Sequence, residues 1–231
     1  MVVSMRTQNI FENLDCDPVI MHRALDLTYK HKLSHLSSVF NALPVLQHIY
    51  DNKEQEDLVI LSAGHAGLAQ YILLEREYMQ ENLAEILLEK HGIHPCTDHE
   101  WGITVSTGSL GCGLPIAIGL ALADSSRNVY CVLTDGECAE GSVWESLRFI
   151  KTQCMTNLKI YVIINGQSAY DVLDCTYLKN RLIAFLPDSA LTIIDADSYF
   201  NDDINGLLSH YRILSEEEYI DIGNRIDKGL L

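Results

Sequence analysis

Val129-Tyr130-Cys131-Val132-Leu133 runs into Thr134-Asp135-Gly136-Glu137, and thirty residues after Asp135 stands Asn165-Gly166-Gln167. The first run is short and apolar. So is Leu158-Lys159-Ile160-Tyr161-Val162-Ile163-Ile164, and both read as buried strands. Residues 142–153 between them read as a helix. Strand, helix and strand in that order predict a parallel crossover, with Asp135 and Asn165 at the carboxyl ends of two strands. Ligands of open α/β sheets gather at that edge. A carboxylate and an amide carbonyl suit Mg²⁺, which takes oxygen ligands and shares them with phosphates. Gly136 clears the side chain from a place where a phosphate would approach the backbone. Asp-Gly after a strand is also the pattern of a turn, and Asn after a strand that of a cap.

Outward from this unit the pattern keeps alternating. Helices are expected at 18–32, 41–50, 64–79, 81–90, 114–123 and 216–228. Further strands are expected at 58–61, 103–105 and 191–194. Leu43, Leu46, Ile49 and Tyr50 fall on one face of the second helix. Alternating helices and strands predict an α/β fold of three layers, α/β/α, with a mostly parallel sheet covered on both sides. No repeat, low-complexity tract or linker divides the chain, so residues 1–231 read as a single domain.

Composition narrows the function. The formal net charge is −16. That argues against non-specific nucleic-acid binding and against docking on anionic lipid. Hydrophobic residues make up 48% of the chain, a share compatible with an ordinary core. No apolar run approaches the roughly 18 residues of a membrane span, and the first residues lack a signal-peptide pattern. Seven cysteines without a Cys-x-x-Cys pair read as reduced thiols in a cytoplasmic protein.

Six stretches, in order, resemble the transketolase family over roughly residues 20–220. His35-Leu-Ser-Ser38 resembles an early Gly-His-x-Gly-Ser element, and Leu61-Ser-Ala-Gly-His-Ala66 a Leu-Ser-x-Gly-His-Ala element. His94-Pro95 resembles Gly-His-Pro. Ser106-Thr-Gly-Ser-Leu-Gly-Cys-Gly-Leu-Pro115 resembles Ser-Thr-Gly-Ser-Leu-Gly-Gln-Gly. Residues 134–146 resemble the family's thiamine diphosphate motif, which ends near an Asn about thirty residues on. Ser209-His-Tyr-Arg212 resembles its closing Trp-His-Tyr-Arg.

The resemblance implies the thiamine diphosphate-binding fold of the pyrophosphate (PP) type, and assigns roles. Asp135 and Asn165 would ligate Mg²⁺ (or Ca²⁺) by side chain, and Gln167 by its backbone carbonyl. Gly136, Glu137 and Asn165 would meet the cofactor near its diphosphate, with His65. Gly108, Ser109 and Leu110 would lie on the aminopyrimidine ring and beneath the bent cofactor. His35, His65 and His94 would serve catalysis by moving protons to and from sugar hydroxyls, a task for groups titrating near neutrality. Glu140 would join them as a carboxylate linking two active sites across a subunit interface, with Glu145 near it. Both are also the charges a helix N-terminus favours. His22, His31, His48, His91 and His99 read as locally satisfied side chains.

Three departures stand out. Thr134 replaces the usual Gly, Ala63 a Lys or Asn, and Cys112 a Gln. The stretch from Ser168 to Ser209 is short for the family and lacks a histidine expected near the substrate.

The resemblance covers only the diphosphate-binding half. It implies a split enzyme, in which a separate subunit carries the pyrimidine-binding domain and the catalytic glutamate. Self-association through the segment from Glu140 to Glu145 would give an α2β2 heterotetramer. The expected activity is transfer of a two-carbon unit from a ketose phosphate or 2-keto acid to a sugar aldehyde or ketone. A 2-keto acid dehydrogenase or decarboxylase subunit, and a non-catalytic scaffold of the same fold, remain as alternatives.

Overall fold

A computed structural model describes residues 9–12, 14–168, 172–186, 190–196 and 211–231. Ser209 and His210 of the closing motif, and the acidic Asp197, Asp202 and Asp203, lie outside them. Five strands form one parallel sheet: β1 (Asn9–Glu12), β2 (Leu58–Leu61), β3 (Val129–Thr134), β4 (Leu158–Ile164) and β5 (Leu191–Asp195), in the order β1-β5-β4-β3-β2. The register aligns Leu58 with Val129, Val129 with Leu158, and Ile160 with Leu191. β1 pairs with β5 from the far end of the chain, Asn9 opposite Thr192. Consecutive strands from β2 to β5 are therefore neighbours, and their carboxyl ends share one edge.

Eight helices were traced among the described residues: α1 (Pro18–Lys30), α2 (Leu36–Asn52), α3 (Gly67–Glu77), α4 (Leu83–His91), α5 (Gly113–Ala123), α6 (Gly141–Gln153), α7 (Cys175–Phe185) and α8 (Glu216–Asp227). Strand side chains alternate, so each face of the sheet feeds a separate core. Val59, Leu61, Val132, Ile163 and Ile194 pack with α1, α2, α3, α4 and α8. Ile60, Cys131, Leu133, Ile160, Val162 and Ile193 pack with α5, α6 and α7. This is the three-layer α/β/α arrangement expected from the alternation of elements. No described helix is long and apolar enough to cross a membrane.

Local chemistry sets the helix ends. Asp17 accepts a hydrogen bond from the Val19 N–H, with Pro18 opening α1 where a missing N–H does no harm. Ser215 and Glu218 form a reciprocal capping box at α8. Three expectations change. The second helix begins at Leu36 rather than 41 and continues through Pro44. Residues 103–105 are not a strand: Ile103 makes only an isolated antiparallel bridge to Asp98. α7 and β1 were not expected at all. All seven cysteines are free. Cys131 and Cys138 are buried, whereas Cys96, Cys112 and Cys154 are exposed.

Candidate active site

The carboxyl edge of the sheet places Ser62, Asp135 and Asn165 immediately after β2, β3 and β4. Asp135 is 2% exposed. Its Oδ2 accepts hydrogen bonds from the Asn165 N–H (2.9 Å) and Gly166 N–H (2.8 Å), and its Oδ1 from the Gly136 N–H (2.9 Å). The side chain thereby ties the end of β3 to the loop after β4. Burial pushes its carboxyl up to about 6, against the opposing pull of those backbone N–H groups and that of Gln167. Asn165 Oδ1 accepts from the Gln167 N–H at 3.0 Å, folding the loop into a tight turn.

Glu137 departs from the expected cofactor contact. It is 0% exposed and does not line the cleft. Its Oε1 accepts from Ser62 Oγ (2.5 Å) and the Gly111 N–H (3.0 Å), and its Oε2 from the Thr134 N–H (3.1 Å). Burial raises this carboxyl as well, with the Ser62 and backbone hydrogen bonds opposing. One side chain thus joins the end of β2, the glycine-rich loop and the end of β3. Thr134 is its counterpart: the two form a reciprocal capping box on the 3-10 turn Asp135–Ala139. This is what a threonine does in place of the expected glycine.

The glycine-rich loop crosses the same edge at close range. A Cβ on Gly64 would lie 2.7 Å from the Gly108 N and the Thr107 carbonyl carbon, so only glycine lets the two segments touch. Gly108 has φ 154°, and a Cβ there would meet the His94 ring at 3.1 Å. His94 therefore packs on the loop. Lys90 and His91 hold that segment from behind through Asp98, at 2.7 and 3.0 Å. Asp98 in turn exchanges backbone hydrogen bonds with Ile103.

These elements enclose a cleft of about 180 Å³ lined by His35, Ser38, Asn41, His65, His94, Gly108, Leu110, Thr134, Asp135, Gly136, Asn165, Gln167 and Tyr211. Of the residues singled out from sequence, it brings together His35, His65, His94, Gly108, Leu110, Asp135, Gly136, Asn165 and Gln167. The His35 and His65 rings are 5.5 Å apart, and Tyr211 stands edge-on to His35 at 5.4 Å. Ser109, Glu137 and Glu140 do not line the cleft. Ser109 is exposed; Glu140 is half-buried as the residue before α6, and Glu145 is exposed on that helix. The Gly136 N–H is already engaged by Asp135. Asn41 was not foreseen, although His35, Ser38 and Asn41 recur at three-residue steps, the spacing of one helix face. The remaining histidines have local neighbours elsewhere: His22 pairs with Asp227, His31 with Glu85 and His91 with Asp98.

A divalent cation fits the donor set. An ionised carboxylate offers about four lone-pair sites and an amide oxygen two. The three N–H bonds to Asp135 and the one to Asn165 leave an acceptor position on each. No described Lys, Arg or His forms an ion pair with Asp135. A buried carboxylate without a counter-charge is the setting in which a cation is most strongly held.

Residues 37–166 match the model of the transketolase thiamine diphosphate-binding domain. The chain belongs to the transketolase family. Curated relatives include transketolase of Homo sapiens, 39% identical over 124 residues, which cover 48% of this chain and 20% of that protein. Another is one component of the split apulose-4-phosphate transketolase of Phocaeicola vulgatus, 30% identical over 185 residues, 71% of this chain and 66% of the relative. This transketolase-family chain thus spans about a fifth of the full-length relatives and about two thirds of that component. Among solved structures, transketolase from Leishmania mexicana superposes with a TM-score of 0.70 at 18% identity, over 91% of this chain and 40% of that one. The fold is that of the thiamine diphosphate-binding domain.

Proposed function

We propose that this chain is the diphosphate-binding subunit of a two-component, thiamine diphosphate-dependent transferase of two-carbon units. The observation that carries the reading is the buried, unpaired Asp135 carboxylate, with acceptor positions left on it and on Asn165 at the carboxyl edge of the sheet. Asp135, Asn165 and the Gln167 carbonyl would hold Mg²⁺, and His65 would face the diphosphate. Bound thiamine diphosphate supplies a carbon acid whose anion accepts a two-carbon fragment. The chain's own residues orient, exclude water and move protons. Leu110 presents an apolar surface in the cleft. His35, His65 and His94 stand where substrate hydroxyls and carbonyls would exchange protons.

A partner subunit would supply the pyrimidine-binding domain and its catalytic glutamate. Two relatives support this, each named as one separate component of an apulose-4-phosphate transketolase. The same names favour a sugar phosphate as donor over a 2-keto acid. An α2β2 assembly gains support from α5, which is apolar almost throughout yet leaves Ile116 and Leu122 exposed. Glu140 and Glu145 lie at the start of the adjoining α6. Seven free cysteines suit a reducing compartment such as the cytoplasm.

The test is calorimetric titration of thiamine diphosphate with Mg²⁺ into the chain alone and into the chain with its partner. Binding that tightens with the partner and disappears in Asp135→Ala is expected. Absence of binding in both states overturns the proposal.

A further inference from the structure

Asn41 combines deep burial with an open amide. The residue is 3% exposed, and neither Oδ1 nor Nδ2 has a hydrogen-bond partner. Native proteins satisfy the large majority of buried polar side-chain atoms, so an amide open at both ends asks for a reason. Asparagine is also a weak helix former, and this one sits inside α2. The side chain lines the cleft with Asp135 and His65, so its open atoms face the cleft and not a void in the core.

The setting defines the missing partner. His35, Ser38 and Asn41 form one stripe of α2 along the cleft. Burial deepens along it: His35 is half-buried, Ser38 7% exposed and Asn41 3%. Asn41 therefore occupies the closed end. No lysine or arginine is among the described residues lining the cleft. A phosphate or carboxylate held at Asn41 would lack a compensating charge. A hydroxyl both donates and accepts, and a carboxamide answers both demands with its oxygen and its NH₂.

The geometry points to Asn41, with the Ser38 hydroxyl one turn before it, as a specificity-determining reader of an uncharged hydroxyl on a carbohydrate-like ligand in the cleft. The assignment of that hydroxyl to substrate rests on the proposed function. A site built to bond a hydroxyl discriminates strongly against analogues that lack it, because its own polar atoms are then left bare.

Xylitol and pentane-1,5-diol test this on the full chain, because they share a carbon backbone, carry no charge and cannot react. The Asn41 side-chain amide signals of ¹⁵N-labelled protein are assigned by their loss in Asn41→Ala. Xylitol should shift them and pentane-1,5-diol should not. Asn41→Ala should raise the unfolding midpoint of the ligand-free chain by about 2–4 °C, since it removes an unsatisfied group. It should also leave thiamine diphosphate affinity within about twofold. Equal silence toward both polyols overturns the inference, as does a fall in the midpoint, which would mark a structural amide. Thiamine diphosphate moving the Asn41 signals, with about tenfold weaker cofactor binding in Asn41→Ala, would assign the amide to the cofactor and overturn it too. Failure of the wild-type chain, with or without its partner, to bind thiamine diphosphate would sink the proposed function alone, because the polyol comparison does not depend on it.

Discussion

Asp135 and Glu137 are two residues apart, both buried, and divided in task. Asp135 keeps acceptor positions toward the cleft, while Glu137 has turned inward to Ser62, Gly111 and Thr134. Asp135→Ala should weaken Mg²⁺-dependent thiamine diphosphate binding by about 100-fold or more, some 2.7 kcal/mol, read by calorimetry. Glu137→Ala should act on stability first. It strands two backbone N–H groups and a hydroxyl, a loss of about 3 kcal/mol in denaturant unfolding, and any loss of binding should follow from that. Gly64→Ala should cost about 1–3 kcal/mol by wedging a methyl against the Gly108 loop, and a fully stable variant would contradict that contact. At this scale the sequence showed which residue types the chemistry needs, and most of them reach the cleft. It did not show direction. Nothing in Thr134-Asp135-Gly136-Glu137 says which carboxylate turns inward, because that depends on Ser62 and Gly111, distant in sequence.

Among the elements, the segment between α4 and α5 shows how the site is braced. Asp98 receives Lys90 and His91, and its carboxyl is held below the ordinary range by the Lys90 hydrogen bond first and His91 second, against the opposing effect of burial. A carboxylate with a depressed folded-state pKa stabilises fully above its unfolded value, about 4. That contribution is lost as pH falls through the lower folded value. Unfolding midpoints measured from pH 6 down to pH 3 should therefore fall more steeply in the wild type than in Asp98→Asn; identical profiles would refute the brace. Periodicity made the long, strongly patterned elements legible: β3, α6 and β4 fall within a residue or two of expectation. The start of α2 was hidden by Pro44 and two serines, residues that ordinarily argue against a helix interior. Tertiary packing overrides them, since Leu36, Val39, Phe40 and Leu43 are all buried. β1 has four residues, and α7 is amphipathic only weakly, with just Leu178 and Leu182 buried. Neither carries enough pattern to be seen before the sheet that receives it.

Over the whole molecule, polar and apolar surfaces are unevenly placed. The net charge of −16 favours solubility, whereas α5 keeps Ile116 and Leu122 in contact with water. Leu122→Glu should leave monomer stability nearly unchanged while reducing association, with sedimentation velocity moving toward a 26.0 kDa species. An unchanged sedimentation profile from an associated wild type would exclude α5 from the interface. The order of the sheet carries a further consequence, one of timing. β1 is made first but pairs only with β5, Asn9 opposite Thr192. At roughly 5–20 residues per second, a ribosome needs about 10–40 s to bridge that interval. The earliest strand to leave the exit tunnel thus waits as an unpaired edge for the last one, and pulse-labelled nascent chains should stay protease-sensitive at their N-terminus until β5 has emerged.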